Sequence, residues 1–579
     1  MELLKLLEKI DFRVRNGRLE LEINHLVHDW KKVSKGDLFV CIRGVHVNGH
    51  DFVLEVVKKG ACAIVVEEEL KEEVWRELPK ELCVIQVEHS RKALALLSAK
   101  YFDNPAEKLI TIGVTGTKGK TTTAYMIWSI LTAAGVKTGL MGTIETVIGD
   151  ERIPAGNTTP ESYVVQESFD RMVKAGCKAV VMEVSSQGLM LHRVEGILFD
   201  YGVFTNLSKD HIGVNEHKDF NEYKYWKSVL FQHCKTGIFN ADDPYAKEMM
   251  AGAKCKIETY GIRGEEELPE FLEIQTEEEK SKLSRIQAEE AMSKLPRILT
   301  EEAMAKLSRI QTEEEKSKLP RIQTEEAKSE LSRIQAEKEI SEFQRIPKKL
   351  TASNIRLIKE QGVLGVSYDL SGELCMPVEL HIPGRFSVYN SLAALCVCLS
   401  FTRDEKLIKK ALQEVRVKGR GEILSVSSEF TVMIDYAHNA MSLFHLLSSL
   451  KEYQPERLIT LFGCGGNRDR NRRSEMGEVS GTLSDFTIIT SDNPRFEEPE
   501  AIMKDILVGV KKSGGNYLMI PDRKDAIQYA LEQTRKGDVV VLAGKGHEDY
   551  QEIKGVKYKL DERDIVSELS KSRGENEEK

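Results

Sequence analysis

The sequence predicts an α/β protein of three domains, and three observations lead to this prediction. The chain has 579 residues, more than one hydrophobic core accommodates. Short apolar segments that suit strands alternate with helical patterns over most of its length, as in parallel, doubly wound sheets. A glycine-rich loop joins a strand to a helix at the start of the central part. We therefore expect a small α/β domain at 1–107, a central parallel-sheet domain at 108–418 and a Rossmann-like α/β domain at 419–579.

The composition indicates a globular protein of the cytoplasm. Hydrophobic residues make up 41% and charged residues 30% of the chain. The net charge of −9, without a dominant basic block, argues against nucleic acid as a partner. The ten cysteines show no Cys-x-x-Cys spacing, which favours reduced thiols. We expect no signal peptide, because the N-terminus lacks that layout, and no membrane span, because no apolar run reaches ~20 residues.

The N-terminal part reads as a compact α/β unit. Strand-like segments at 37–42, 63–66 and 83–87 alternate with helical patterns and precede a turn at Asp103-Asn-Pro105. Parallel strands with helical connections are the pattern expected of such a unit.

The central part begins with a phosphate-binding loop at 112–123. A β-branched run leads into glycines 113, 116 and 119, and a helical pattern follows at 124–134. Glycines let backbone N–H groups approach phosphate oxygens, and the helix N-terminus favours the same anion. In this pattern Lys120 reaches the β- and γ-phosphates and Thr121 binds the Mg²⁺ of the nucleotide. Val114 stands where the strict motif has glycine, but Gly-Lys-Thr in this context predicts binding of ATP or GTP.

Two further strands of the central part deliver metal-binding side chains. Glu183 lies at the end of the apolar strand at 179–184, and Asp210 and His211 follow the strand that starts at Val203. Carboxyl ends of parallel strands share one edge of a sheet, so we expect these side chains near the phosphate loop. Carboxylate oxygens there suit Mg²⁺.

A repeat interrupts the central part. Six copies of a 12-residue unit occupy 274–345, inside an insertion at about 264–349. The Ile and Leu at positions 1 and 10 of the unit are nine residues apart and lie on opposite faces of a helix, so they form no continuous apolar stripe. A stacked repeat needs such a stripe, and Pro296 and Pro320 also interrupt a helix. We interpret the repeat as a solvated insertion; the alternative is a docking arm or self-association element.

The C-terminal part repeats the alternation of strands and helices. Strands are predicted at 432–435, 458–462, 486–490 and 539–543. In a doubly wound sheet, ligands bind at the carboxyl ends of such strands.

Ten motifs, taken in order, resemble those of the Mur ligase family, the ATP-dependent enzymes that add amino acids during peptidoglycan synthesis. Asp-Asn-Pro-Arg at 492–495 and Gly-Lys-Gly-His-Glu at 544–548 are two of them. The others lie at 116–122, 157–161, 183–186, 205–211, 388–392, 419–420, 435–438 and 463–469. The resemblance covers nearly the whole chain outside the repeat.

The resemblance implies that ATP phosphorylates the terminal carboxylate of UDP-N-acetylmuramoyl-L-alanyl-D-glutamate and that meso-diaminopimelate then attacks the acyl phosphate. It also implies an N-terminal domain that binds the UDP-sugar, a central domain that binds ATP and a C-terminal domain that binds the amino acid. The expected partners are these small molecules, and the expected state is a cytoplasmic monomer.

The resemblance also implies roles for individual residues. Catalysis is expected from Lys120, Glu183, His211 and Lys227, with Lys227 carbamylated, and Mg²⁺ is expected to bind Thr121, Glu183, His211 and Lys227. ATP is expected to contact Gly116, Thr117, Lys118, Gly119, Lys120, Thr121, Thr122, Asn390, Arg420 and Asp435. The UDP-muramoyl dipeptide is expected to contact Asn157, Thr158, Thr159, Ser185 and Arg193. The amino acid is expected to contact Arg468, Asp492, Asn493, Pro494, Arg495, Gly544 and Glu548.

The sequence departs from the family pattern where the UDP-sugar is expected. Asp29-Trp-Lys31 stands in place of Asp-Ser-Arg, Gln187 in place of a histidine, and Leu191 in place of a glutamine that is often present. Ala440-Met441 replaces Pro-Asp, and Asp561-Glu-Arg563 roughly matches a family Asp-Asp-Arg.

Three alternatives stay open. A lysine-adding ligase of the same family is the nearest, and folylpolyglutamate synthetase shares the architecture; Asp-Asn-Pro-Arg at 492–495 disfavours both. A catalytically reduced scaffold that uses the repeat as an interaction arm is the third.

Overall fold

Three sheets organise the N-terminal, central and C-terminal parts of the chain. The computed structural model describes residues 1–44, 47–210, 212–213, 216–263, 348–360 and 362–577. His211 and the repeat at 274–345 therefore lie outside the described residues. The segments before 263 and after 347 fold into one compact unit.

The N-terminal sheet has five strands in the order β1-β5-β4-β3-β2, and only β1 runs antiparallel to its neighbour. Its central strands are apolar at every position and buried on both faces, as a parallel sheet covered by helices requires. The strands are β1 Arg13–Asn16, β2 Leu26–Val27, β3 Leu38–Val40, β4 Ala63–Val66 and β5 Cys83–Gln86. The helices are α1 Leu3–Leu6, α2 Val53–Lys58, α3 Glu72–Glu77 and α4 Ser90–Tyr101.

The central sheet has eleven strands in the order β16-β15-β14-β13-β12-β11-β6-β10-β7-β8-β9. Strands β6, β7 and β10 to β14 are parallel, and antiparallel strands extend both edges. The strands are β6 Ile110–Thr115, β7 Thr138–Met141, β8 Glu145–Ile148, β9 Glu151–Pro154, β10 Ala179–Glu183, β11 Phe199–Phe204, β12 Cys234–Asn240, β13 Lys256–Ile262, β14 Lys348–Glu360, β15 Val363–Gly372 and β16 Met376–Leu380.

Helices cover the central sheet, and the most apolar of them is buried. The helices are α5 Lys120–Ala133, α6 Ser162–Lys174, α7 Ser186–Met190, α8 Phe220–Ser228, α9 Ala246–Ala251, α10 Phe386–Cys398 and α11 Glu405–Glu414. Helix α10 is buried at nearly every position and packs against α5. Because β6 lies between β10 and β11, the ends of these three strands and the start of α5 meet at one edge.

The C-terminal sheet has six strands in the order β17-β18-β22-β19-β20-β21, all parallel except β17. A separate hairpin, β23–β24, follows it. The strands are β17 Glu422–Leu424, β18 Thr431–Asp435, β19 Leu458–Phe462, β20 Phe486–Ile489, β21 Tyr517–Met519, β22 Val539–Ala543, β23 Tyr550–Ile553 and β24 Val556–Lys559. The helices are α12 Ala440–Lys451, α13 Asn471–Leu483, α14 Pro499–Ser513, α15 Arg523–Glu532 and α16 Glu562–Glu577.

The predicted α/β class is confirmed, and most predicted strands have nearly the expected bounds. The strands expected at 63–66, 458–462 and 539–543 are β4, β19 and β22 with those limits. The strand expected at 37–42 is shorter and begins at Leu38. Asp37 ends the preceding turn, because its carboxylate accepts from the Ser34 backbone N–H at 2.8 Å. Within the described part of the chain, no helix is long and apolar enough to cross a membrane.

Candidate active site

The phosphate loop needs glycine at two positions. Gly116 and Gly119 have φ angles of 149° and 82°. A Cβ atom would lie 1.9 Å from Oγ1 of Thr205 at the first position and 2.3 Å from Oδ1 of Asn390 at the second. The loop therefore packs against Thr205 and Asn390 more closely than a residue with a side chain could, directly before α5 begins.

Lys120 lies in this loop and is bonded to loop carbonyls. Its Nζ donates to the carbonyl oxygens of Gly116 at 2.9 Å and Thr117 at 3.1 Å. Burial lowers the pKa of Lys120 to about 8, which the nearby Glu183 carboxylate offsets only in part. The ammonium is thus destabilised and would be stabilised by an anion.

Glu183, at the end of β10, is the buried carboxylate of the site, with 1% of its surface exposed. It accepts from the Thr121 hydroxyl at 2.9 Å and from the Thr143 backbone N–H at 2.8 Å and hydroxyl at 2.9 Å. The sequence analysis missed Thr143, although its place just after β7 is another strand end at the same edge.

Lys227 lies on α8 and is buried, with 1% of its surface exposed. Its Nζ donates to the Gly116 carbonyl at 2.8 Å and lies 4.5 Å from the centre of the Tyr223 ring. Burial and the neighbouring Lys120 hold the pKa of Lys227 well below that of an ordinary lysine. An amine in these surroundings favours its neutral, nucleophilic form.

The residues at this edge fit Mg²⁺ with a small number of protein ligands. The Thr121 hydroxyl and the Glu183 carboxylate are adjacent oxygen donors, and Mg²⁺ prefers oxygen ligands together with water and phosphate. His211, the third predicted ligand, lies outside the described residues. Among the residues that the structure describes, no group of three or more His, Cys, Asp or Glu could hold a metal ion by itself.

The predicted contacts to the UDP-muramoyl dipeptide form one connected set beside Glu183. The Thr159 hydroxyl donates to the Glu183 carbonyl at 2.9 Å and accepts from the Ser185 backbone N–H at 3.0 Å. Arg193 donates to the Thr159 carbonyl at 2.8 Å, and the hydroxyls of Thr158 and Thr143 lie 3.1 Å apart. Asn157 is exposed next to this set.

The other predicted nucleotide contacts lie around the phosphate loop and on the C-terminal part. Asn390 is buried on α10 next to Gly119, and Thr122 is buried in α5. The Arg420 guanidinium lies 4.5 Å from the centre of the Tyr436 ring. Asp435, at the end of β18, accepts from the backbone N–H groups of Gly421 at 2.7 Å and Ala437 at 2.8 Å, and burial raises its pKa.

The predicted amino-acid contacts follow β20 and β22. Asn493 donates to Glu548 at 2.8 Å, and burial raises the pKa of Glu548. The Arg495 guanidinium donates to the Glu552 carboxylate at 3.2 Å and to the Gly466 carbonyl at 2.8 Å. The other members of the set are Asp492 and Pro494, which are buried, Gly544 with a φ of 104°, and Arg468, which is exposed.

The sequence analysis missed Glu552, which holds Arg495 from the hairpin β23. The Arg495 backbone N–H also donates to the Glu552 carbonyl at 3.0 Å. The side chain and the backbone of one residue thus fix this arginine. Alternating strand patterns carry no signal for such a contact.

A cleft of about 220 Å³ lies between the central and C-terminal sheets. Lys118 lines it and makes an ion pair with Asp210 at 3.1 Å. The C-terminal side contributes Asp469, the last residue of the motif at 463–469, and Arg472, which the sequence analysis did not name. The phosphate loop and the loops of the C-terminal sheet therefore border a shared space.

Comparisons with known proteins identify relatives over nearly the whole chain. Family models match at 22–102 (Mur ligase family, catalytic domain), 114–300 (Mur ligase middle domain) and 419–546 (Mur ligase, glutamate ligase domain). UDP-N-acetylmuramoyl-L-alanyl-D-glutamate--2,6-diaminopimelate ligase of Clostridium perfringens is 34% identical over 576 residues, 98% of this chain and 99% of that protein. Such a ligase of Clostridium acetobutylicum is 36% identical over 575 residues, 99% of each chain.

Solved structures show the same fold. A UDP-N-acetylmuramoyl-L-alanyl-D-glutamate--2,6-diaminopimelate ligase superposes with a TM-score of 0.62 at 24% identity, covering 99% of both chains. A MurF ligase from Thermotoga maritima in complex with ADP gives a TM-score of 0.52 at 17% identity, covering 96% of this chain and 98% of that one.

Proposed function

The chain belongs to the Mur ligase family, and from that premise we propose that it joins meso-diaminopimelate to UDP-N-acetylmuramoyl-L-alanyl-D-glutamate. The enzyme is an ATP-dependent ligase that forms an amide bond in peptidoglycan synthesis. One observation carries the proposal beyond the relatives' names. The cleft between the central and C-terminal sheets is lined by Lys118 of the phosphate loop on one side and by Asp469 and Arg472 on the other.

The proposed reaction has two steps. The terminal carboxylate of the dipeptide takes the γ-phosphoryl group of ATP, so that a P–O bond forms and ADP leaves. The amine of diaminopimelate then attacks the acyl carbon and a C–N bond forms. The C–O bond to phosphate breaks, phosphate leaves with its electrons, and the nitrogen releases a proton. Anionic oxygens accumulate throughout, so the protein must supply positive charge and orientation.

Lys120 and the loop N–H groups are suited to hold the triphosphate. Lys120 now donates to two loop carbonyls, and its lowered pKa shows that its charge is poorly compensated. A γ-phosphate would compensate it better than a carbonyl does, because charge-assisted hydrogen bonds are the stronger kind. Gly116, Thr117, Lys118, Gly119, Thr121, Thr122, Asn390, Arg420 and Asp435 complete the proposed nucleotide site.

Thr121, Glu183, His211 and Lys227 would hold Mg²⁺. When bound, the ion neutralises charge on the phosphates. We propose that Lys227 is carbamylated: its neutral amine adds to carbon dioxide, an N–C bond forms and a proton leaves. The low pKa of Lys227 supports this, and the resulting anion would replace a cation that burial and Lys120 both disfavour.

The acceptor carboxylate would lie close to Glu183. Thr158, Thr159, Ser185 and Arg193 bond to one another and to the residues that flank that carboxylate. A muramoyl dipeptide held by this set and by Asn157 would bring its carboxylate to the γ-phosphate. The N-terminal domain is then left to bind the uridine.

The incoming amino acid would bind to the loops after β20 and β22. Arg495 can pair with the second carboxylate of diaminopimelate, and Glu548 with its distal ammonium. Arg468, Asp492, Asn493, Pro494 and Gly544 complete the pocket. We also propose a cytoplasmic monomer; the ten free thiols agree with a reducing compartment.

One assay tests this function against the lysine-adding alternative. ADP release and product mass are measured with UDP-N-acetylmuramoyl-L-alanyl-D-glutamate and either diaminopimelate or lysine. We expect ADP release and a product one diaminopimelate residue heavier, with little turnover of lysine. A preference for lysine would reverse the substrate assignment. If no ADP is released with either amino acid, the reduced scaffold is favoured.

A further inference from the structure

The start of helix α16 contacts the amino-acid loops, although no role has been assigned to it so far. Glu562 is fully buried and accepts from Nε of Arg523 at 2.8 Å. Arg523, the first residue of α15, is equally buried. A buried guanidinium is stable only where its N–H groups find acceptors, so the remaining donors of Arg523 define what this pair does.

Those donors hold the ends of two strands. Nη1 of Arg523 donates to the Ser491 carbonyl at 3.1 Å, and Nη2 donates to the Ala543 carbonyl at 2.9 Å. These carbonyls directly precede Asp492 and Gly544, the first residues of the two amino-acid loops. Strand β19 separates β20 from β22 in the sheet, so this guanidinium sets the spacing between loops that are not neighbours.

Arg563, the next residue of α16, makes a second connection. Its guanidinium donates to the Gly546 carbonyl at 2.9 Å and to both oxygens of Glu422, with Nε 3.0 Å from each. Glu422 in turn accepts from the Gly419 backbone N–H at 2.6 Å. Arg563 therefore joins the loop that carries Glu548 to the turn that carries Arg420.

We infer that Arg523, Glu562 and Arg563 are positioning residues of the amino-acid pocket, which set the separation of its two loops. The inference rests on the proposed function, because it assumes that these loops hold the incoming amino acid. Loops lack the continuous hydrogen-bond ladder of a sheet, so a pocket built on them depends more on supporting side chains. The planar fork of arginine fixes two or three acceptors at once, which an ammonium group does not.

Four variants test this, with one as a matched control. Arg523→Lys and Arg563→Lys keep the charge and remove the fork, and Glu562→Gln keeps the shape and removes the charge. The control is Arg457→Lys, because Arg457 also pairs with a buried carboxylate, Asp538, and also donates to a carbonyl, that of Gln533. It lies at the opposite edge of the same sheet, before β19.

The measurements are KM for the amino acid, KM for ATP, kcat and the thermal midpoint. We expect Arg523→Lys and Glu562→Gln to raise KM for diaminopimelate about tenfold, less than the ~100-fold of a 1 Å displacement, with KM for ATP nearly unchanged. Arg563→Lys should raise both KM values, since it also holds the turn before Arg420. Arg457→Lys should lower the thermal midpoint and leave both KM values unchanged.

Several outcomes would overturn the inference. Folded variants whose KM for diaminopimelate equals that of the wild type would do so, as would equal KM changes in the control. Should Arg523→Lys not fold, Arg563→Lys, at a partly exposed position, decides the matter. If the wild type releases no ADP with either amino acid, the proposed function is overturned instead. If the wild type uses lysine, the same KM comparison is made with lysine as the amino acid.

Discussion

Two desolvated lysines lie at the edge of the central sheet, and two desolvated carboxylates lie at the edge of the C-terminal sheet. At the edge of the central sheet, burial lowers the pKa of Lys120 to about 8 and holds the pKa of Lys227 well below that of an ordinary lysine. At the edge of the C-terminal sheet, burial raises the pKa of Glu548 and Asp435. Desolvation is the largest cause for all four groups, and it destabilises the cations of the two lysines and the anions of the two carboxylates.

The difference matches the charges of the two substrates that the proposal assigns. Phosphates would stabilise the lysines, and the distal ammonium of the amino acid would stabilise Glu548, whereas Asp435 belongs to the proposed nucleotide site. The lysines of one edge would thus gain an anionic partner from one substrate, and Glu548 at the other edge would gain a cationic partner from the other substrate. The edges also differ in how they are held together. Hydroxyls and backbone groups surround Glu183, whereas ion pairs such as Arg495 with Glu552 organise the C-terminal loops.

The strongest test of this contrast removes a cation from the central edge. We expect Lys120→Ala to lower kcat about 100- to 1,000-fold and to weaken ATP binding, because it removes charge directed at the triphosphate. The protein should stay folded, since Lys120 bonds only to loop carbonyls among the described contacts. ADP release and nucleotide titration measure the effects. Lys256→Ala, at an exposed lysine of the same sheet, is the control, and wild-type turnover in Lys120→Ala would refute the assignment.

A second test asks whether the central edge gains an anion at Lys227. We expect Lys227→Ala to lose most of its activity, and acetate at high concentration to restore part of it by taking the place of the carbamate. Lys224→Ala, one turn earlier on α8, should keep its activity and show no response to acetate. Intact mass measured under carbon dioxide reports the modification directly. An active sample with unmodified Lys227 would contradict the proposal.

The third test addresses the C-terminal edge. Arg495→Ala should raise KM for diaminopimelate roughly 10- to 150-fold, because a hydrogen bond to a charged group contributes ~1.5–3 kcal/mol. KM for ATP should change little, since Arg495 bonds to Glu552 and Gly466 within the C-terminal part. Arg470→Ala, at an exposed arginine nearby, is the matched control. A mutant that still prefers diaminopimelate to lysine would show that selectivity resides elsewhere.

A fourth test uses the pH dependence of the free energy of unfolding to measure the cost of burying the Lys120 ammonium. The folded pKa of Lys120, about 8, lies below its ordinary value of 10.5, so unfolding takes up a proton between these two pH values. The ATP-free protein should therefore gain stability as pH rises through this window, by at most about 3 kcal/mol from this residue. Urea unfolding of the wild type and of Lys120→Met isolates the contribution. Parallel pH profiles in the two proteins would show that Lys120 does not supply it.

The smallest effect is expected from removing the repeat. Deleting 274–345 should leave ligation nearly unchanged, because its sixteen acidic and fourteen basic residues leave a net charge of −2 and no apolar stripe. Loop closure changes by only about 0.6 kcal/mol per doubling of length. The segment lies outside the described residues, but Asp242 bonds to both Ile262 and Lys348, which flank the insertion. A deletion variant that folds but does not ligate would place the repeat in the site.

The features that could be predicted from the sequence are those that a short-range pattern of residues encodes. Strands β4, β19 and β22 are apolar runs between turn residues, and the phosphate loop is a contiguous motif, so both could be located before the structure was known. The contacts that complete the site are long-range. Thr143 reaches Glu183 from 40 positions away, and Glu552 reaches Arg495 from 57. No periodicity relates such pairs. The neighbouring sequence likewise does not explain why Trp30, Gln187 and Leu191 depart from the family pattern.

The contact between Gly119 and Asn390 has a consequence for how the protein is made. The Thr123 hydroxyl donates to Asn390, and Gly119 packs closely against the same side chain. The ribosome adds Asn390 only after the insertion. At ~5–20 residues per second, the repeat alone delays that event by roughly 4–14 s. During this interval α5 has been synthesised without α10, against which it packs. The phosphate loop and α5 are therefore synthesised first but can complete their packing only after α10 has been synthesised.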